Sequence, residues 1–188
     1  MGNPNVQIRG IDSTGKHHDV LTDSLGQMQV GSTSALPIST GTSAVRVTPA
    51  ISTSAYTAGY VLGGVLSFTN AFGVLLSGVL QSLHVTSKSV QTTGLKAYVF
   101  NANPTASTFN DHAAPSINSA DIGKLIGVYT LGSADSGLGT HTIWSLDGIG
   151  KAIVSTSTTL YVVLVAVATP TFASTSDISV TAAVLKDG

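Results

Sequence analysis

The sequence predicts an all-β protein: an eight-stranded antiparallel β-sandwich of jelly-roll type, preceded by a small N-terminal β-meander and an extended arm. Three observations predict it. Of 188 residues, 48 are serine or threonine and 20 are glycine, a composition that suits turns and the β-branched surface of strands. Charged residues make up only 9%, and all nine acids are aspartate, so the surface helix formers Glu and Lys are scarce. Short apolar runs separated by Gly, Asn and Asp punctuation recur over the second two-thirds of the chain, as in a sandwich. At 19.0 kDa the chain is large enough to bury a core without staples.

The elements follow in order. Residues 1–30 hold a small repeat: Asp12-Ser13-Thr14-Gly15-Lys16 returns as Asp23-Ser24-Leu25-Gly26-Gln27. Each copy reads as a turn, with Asp accepting a backbone hydrogen bond and Gly free to take positive φ. The runs Val6-Gln7-Ile8, Val20-Leu21-Thr22 and Met28-Gln29-Val30 flank these turns as a three-stranded meander, too small to stand alone. Residues 31–54 are rich in Ser, Thr, Gly and Pro and read as a linker, or as an arm that orders against another subunit. Residues 55–188 form the sandwich, with strands expected near 61–68, 79–86, 95–100, 126–131, 141–146, 151–155, 160–168 and 178–185. The uncharged stretch Val61 to Leu83 is broken by Gly63, Gly64, Gly73 and Gly78 and by Thr69-Asn70, which favours two buried strands over a transmembrane helix. Leu160 to Val167 is continuously apolar and predicts a central strand covered on both faces. Ile178 to Leu185 alternates and predicts a half-buried strand. A helical turn is expected at Ser119 to Leu125, with Ser119 as its cap.

Candidate chemistry is sparse. The absence of cysteine removes disulfides, thiolate nucleophiles and Cys-type zinc sites. His17-His18-Asp19 is the densest cluster of metal-ligating types, yet adjacent histidines between turns are ordinary exposed polar positions. Asp111-His112 pairs a carboxylate with an imidazole but lacks a nucleophile motif. His84 reads as a hydrogen-bonded core or interface histidine, and Trp144 as core. Asp12, Asp23 and Asp147 occupy turn positions, leaving no carboxylate pair for glycoside hydrolysis. No catalytic residue, cofactor or metal is expected. A net charge of −1 supplies no basic stripe for nucleic acid and little repulsion between copies. The polar segment Met1 to Arg9 lacks the apolar core of a secretion signal.

Several segments carry a family likeness: Ser67-Phe68-Thr69-Asn70-Ala71, Ser77-Gly78-Val79-Leu80-Gln81-Ser82-Leu83-His84-Val85-Thr86, Phe100-Asn101-Ala102-Asn103-Pro104, Phe109-Asn110-Asp111, Lys124-Leu125-Ile126-Gly127-Val128, Thr158 to Leu164 and Thr169 to Ser174. Together they resemble a little-characterised family of virion structural proteins of tailed bacteriophages, over most of residues 60–188. The opening, with Ile8-Arg9-Gly10-Ile11-Asp12 and Asp23 to Val30, is similar to openings of phage particle proteins. The resemblance implies a non-enzymatic virion subunit, a capsid decoration or cement protein. It would bind the major capsid protein or other virion proteins as a homotrimer, and neither nucleic acid nor membrane. Val6, Ile8, Ile11, Leu21, Met28, Val30, Leu36 and Ile38 are the expected assembly contacts. The alternative is a tail- or fibre-associated module for host glycans, which would use exposed aromatics in the loop Asn101 to Ser119, where Phe109 alone qualifies.

Overall fold

The computed structural model describes residues 9–11, 17–19, 41–132 and 134–187. The chain divides into two compact units, Met1–Pro37 and Ile38–Gly188. In the first, β1 (Arg9–Ile11) pairs antiparallel with β2 (His17–Asp19), Ile11 opposite His17 and Arg9 opposite Asp19. Pairing thus forms next to the first expected turn, where the loop to be closed is shortest. The expected runs 6–8, 20–22 and 28–30 lie outside the described residues.

The second unit contains β3 (Thr42–Val47), β4 (Val61–Phe68), β5 (Ser77–Ser87), β6 (Leu95–Phe100), a 3-10 helix (Ser119–Lys124), β7 (Leu125–Leu131), β8 (Asp135–Leu138), β9 (His141–Leu146), β10 (Lys151–Val154), β11 (Leu160–Ala166) and β12 (Ile178–Lys186). Two antiparallel sheets form a β-sandwich. One is ordered β3-β12-β5-β9-β8, with β10 also on β5; the other is β4-β11-β6-β7. With the short β8 and β10 set aside, the pairings nest: β3 with β12, β4 with β11, β5 with β9 and β6 with β7.

All eight expected strands occur, and two more join them. β3 corrects the reading of 31–54 as a linker: Thr42–Val47 pairs along its length with β12, so the sandwich unit begins at Ile38. Its Ser43, Val45 and Val47 are half-buried and its Thr42, Ala44 and Arg46 exposed, a period of two hidden by the surrounding Ser, Thr, Gly and Pro. β8 forms a hairpin with β9 through Gly139, whose φ of 78° is a turn conformation. The helical turn is present, but its cap is Asn118, whose side chain accepts from Ala120 N–H at 2.9 Å. Asn and Ser serve equally in that position, and the backbone is extended one residue earlier than expected.

The inter-sheet core includes Leu66 and Phe68, Leu80, Leu83 and Val85, Trp144, Leu160, Val162 and Leu164, and Val180 and Val184. Trp144 is fully enclosed, its indole N–H donating to Thr93 O at 2.7 Å. β11 is covered on both sides as its unbroken apolar run predicts. Leu160, Val162 and Leu164 face the inter-sheet core, while Val163 and Val165 face outward into a second cluster with Val61, Phe100 and Phe109.

That outer cluster depends on a distortion in β4. Opposite β11 the register steps from Val65–Val163 to Leu62–Leu164, leaving Gly63 and Gly64 as a bulge with φ of 73° and 77°. A Cβ on Gly63 would collide with the Pro49 ring, and one on Gly64 would press on Phe109 O. We expect Gly63→Ala to destabilise the protein by roughly 2–4 kcal/mol, from left-handed strain plus overpacking. A urea unfolding midpoint equal to that of the wild type would show that Pro49 does not hold the bulge.

Candidate functional site

The expected assembly residues Val6, Ile8, Leu21, Met28, Val30, Leu36 and Ile38 lie outside the described residues. Ile11 lies in β1 opposite His17, with its side chain outside the description. His17 and Asp19 share a strand, and their side chains are likewise not described. Among the described residues no group of three His, Asp or Glu side chains is placed to hold a metal.

The Asp111-His112 pair is resolved, and its two members face different partners. Asp111 Oδ1 accepts from the Tyr56 hydroxyl at 2.6 Å and from Gly63 N–H at 2.7 Å. The His112 Nε2–H instead donates to Ala55 O at 2.9 Å, because a carbonyl oxygen can only accept. His112 sits at φ 59°, which turns its ring away from its neighbour and against Tyr56 and Tyr60, at centroid distances of 4.9 and 5.9 Å. Burial first, and then the Asp111 carboxylate, push the Tyr56 pKa upward, so this phenol keeps its proton. The arrangement is a clasp that pins the bulge, the 48–60 segment and the loop 101–118 together. The same loop is closed by a Thr108–Ser116 bridge and joined to β4 through Val61 N–H to Ala113 O and His112 N–H to Val61 O, both at 2.9 Å.

Two further aspartates act as knots. Asp121 is buried and accepts from Lys124 Nζ and Ser107 Oγ, both at 2.7 Å. The Lys124 ammonium leads the causes that hold its carboxyl below the usual range. Asp177 is buried. It accepts from Ser87 Oγ (2.8 Å), Ser89 Oγ (2.7 Å), Lys88 N–H (2.7 Å), Ser89 N–H (3.1 Å) and Ala173 N–H (2.8 Å). Burial alone would raise its pKa; hydrogen bonds from Ser89, Ser87, Ala173 and Lys88 outweigh it and leave the carboxyl below its ordinary 3.8.

On the outer face of the larger sheet Arg46, Thr181, His84 and Ser145 form one cross-strand row, with His84 Nε2 2.8 Å from Asp147 Oδ1. His84 is thus a partly exposed histidine bonded at the surface, since its strand position points away from Leu83 and Val85. A shallow groove of about 300 Å³ lies among Thr86, Lys88, His141 and Ile143. At the opposite end of the face the side chains become aliphatic: Leu185, Val79 and Ala152 align across three strands, Val154 lies opposite Ser77, and Val74 and Leu75 project from the adjoining loop. Sequence reading passed over Val74 and Leu75 because they continue the apolar run of 61–83. Their only signal was the bracket of Gly73 and Gly78.

Asp177→Asn should destabilise the fold by roughly 2–4 kcal/mol, because backbone and hydroxyl donors would lose a buried acceptor. The pH dependence has a definite sign. A carboxyl lowered by folding stabilises fully above its unfolded value of 3.8, and that contribution disappears as pH falls through the folded value. The wild type should therefore lose more stability between pH 7 and pH 3 than the variant does in urea titrations. Equal losses would refute the assignment.

No family model matches the chain, and no curated protein does.

Proposed function

We propose that this protein is a non-enzymatic structural subunit of a tailed-bacteriophage particle, a decoration or cement protein that binds the major capsid protein. The observation that carries this reading is the pairing of a self-contained sandwich with a separate N-terminal unit: one part forms the body, and the other is available as an anchor. The nested pairing of first strand with last, inward to the fourth with the fifth, is in our reading the wrapping of a jelly roll. The segments that carry the phage likeness fall on β4, β5, β7 and β11 and on the loops 101–118 and 167–177.

Other features support the role. A surface with few charges and a net charge of −1 packs into a lattice without repulsion. An arm that orders on docking trades affinity for reach, and many copies on one shell recover that affinity through effective concentration. The glycan-binding alternative loses its main residue, because Phe109 is buried against Phe100, at 5.7 Å between centroids.

The anchor assignment is tested by deleting residues 1–37. That cut preserves β3, which a cut further into the chain would remove from the sheet. The truncated protein should keep its β circular-dichroism spectrum and lose at least tenfold in particle occupancy. Full occupancy by the truncated protein would sink the anchor assignment, and full-length protein that binds host cells but not particles would sink the decoration role.

A further inference from the structure

The two sheets of the sandwich end in β3 and β8 and in β4 and β7, and only one of these edges is left open to further pairing. β4 is interrupted by the bulge at Gly63 and Gly64 and is bonded there by the Asp111 carboxylate and by the backbone of His112 and Ala113. β3 carries the exposed cation Arg46, and β8 and β10 are four residues long each. Charges, bulges, covering loops and shortness are the devices that keep an edge strand from recruiting another. β7 has none of them along most of its length. It runs for seven residues, Leu125–Leu131, and its register breaks only at its start, opposite Val99 and Phe100. No charged residue or proline occurs from Leu125 to Ala134. Thr130 is exposed, and Val128 is 51% exposed.

The ladder fixes which main-chain groups this edge presents. Ala166 turns both of its groups toward the β4 side, donating to Tyr60 O at 2.9 Å and accepting from Gly59 N–H at 2.8 Å, while Val167 N–H donates to Gly94 O at 3.2 Å. Bonding groups alternate along an antiparallel strand, so Lys96 and Tyr98 direct theirs to β11, and Leu95, Ala97 and Val99 direct theirs to β7. Gly127, Tyr129 and Leu131 answer them. The N–H and C=O of Val128 and Thr130 therefore point out of the sheet, and no group among the described residues bonds them there. Tyr129 does not obstruct the edge. Its ring lies back along its own strand over Gly127, where a Cβ would meet the phenol oxygen at 2.9 Å.

We propose that β7 is the edge through which one copy of the chain binds a second, the two β7 strands running antiparallel about a two-fold axis at Tyr129. That axis sets Val128 of each copy opposite Thr130 of the other, so every donor and acceptor these two residues present finds a partner, as an isologous contact requires. The uncharged stretch selects a copy as the occupant. A two-fold brings each edge residue close to its own image or to a near neighbour of it, where a charge would meet its like, and Leu125 to Ala134 holds none. Val128 gains the Thr130 methyl group of the other copy as a cross-strand neighbour. Within the particle role proposed above, the contact would join subunits held close on the shell. The pairing does not depend on that role, because self-association is measured without particles.

Amide hydrogen exchange on the full chain, resolved by residue with NMR, tests the pairing. The amides of Val128 and Thr130 should exchange freely in dilute protein and gain at least tenfold protection in concentrated protein, while Gly127 and Tyr129 stay protected by β6 throughout. Over the same range sedimentation velocity should show the mass rising from the 19.0 kDa monomer toward that of a dimer. Val128→Lys, which places a guarding charge on the edge, should weaken association at least tenfold with an unchanged circular-dichroism spectrum. Thr130→Pro, which deletes a donor on the open side and spares the β6 ladder, should do the same. Val74→Lys, at the aliphatic end of the larger sheet, should leave association unchanged. Exchange at Val128 and Thr130 that ignores concentration overturns the proposal without recourse to any variant. So does self-association that survives Val128→Lys and is lost in Val74→Lys. Concentration-dependent protection in a protein that never binds particles would uphold the edge pairing and sink the particle role alone.

Discussion

The fold depends on β11 being dry on both faces. A strand reading Leu-Tyr-Val-Val-Leu-Val-Ala between β4 and β6 would leave Val163 and Val165 in water if the sandwich had only its two sheets. The loop 101–118 provides the third layer by laying Phe109 over them. Each fully buried aliphatic or aromatic side chain contributes about 1.5–3 kcal/mol, so the cover is worth several such increments. It can be laid down only because Gly63 and Gly64 open the β4 ladder, and Asp111 then fixes the opening to Tyr56.

Aspartates do the tying in this protein, and they do it largely without cations. The chain holds nine acids against eight Lys and Arg, too few to hold its loops by ion pairs. Asp111 and Asp177 instead collect hydroxyl and backbone donors from distant segments, and Asp121 adds the Ser107 hydroxyl to its ion pair with Lys124. Asp177 joins the turn after β5 to the loop before β12; Asp121 joins the 3-10 helix to Ser107. The abundance of Ser thus has a structural use, since each hydroxyl both receives and donates and can close a loop wherever a carboxylate is in reach.

Much of this was legible in the sequence because strand periodicity and turn residues are local. The unbroken apolar run of β11, the alternation of β12 and the enclosure of Trp144 all follow from neighbours along the chain. β3 was hidden because Thr42–Val47 contains only two large apolar residues, Val45 and Val47; its partner β12 makes it a strand. The Asp177 knot was illegible for the same reason, because its donors Ser87 and Ser89 lie almost half the chain away. Asp111-His112 misled in the opposite direction. Adjacency suggested a pair, while a left-handed backbone at His112 separates the two side chains.

The position of β12 has a consequence for synthesis. It lies between β3 and β5 and pairs with both along their length, yet it leaves the ribosome after both of them. Until it emerges, the larger sheet is split down its middle, with Val45 and Val47 on one side and Leu83 and Val85 on the other lacking the wall that separates them from water. Contacts of such long sequence separation slow folding and prolong exposure of unpaired edges. Nascent chains of this protein must therefore hold the two halves of this sheet open until β12 emerges.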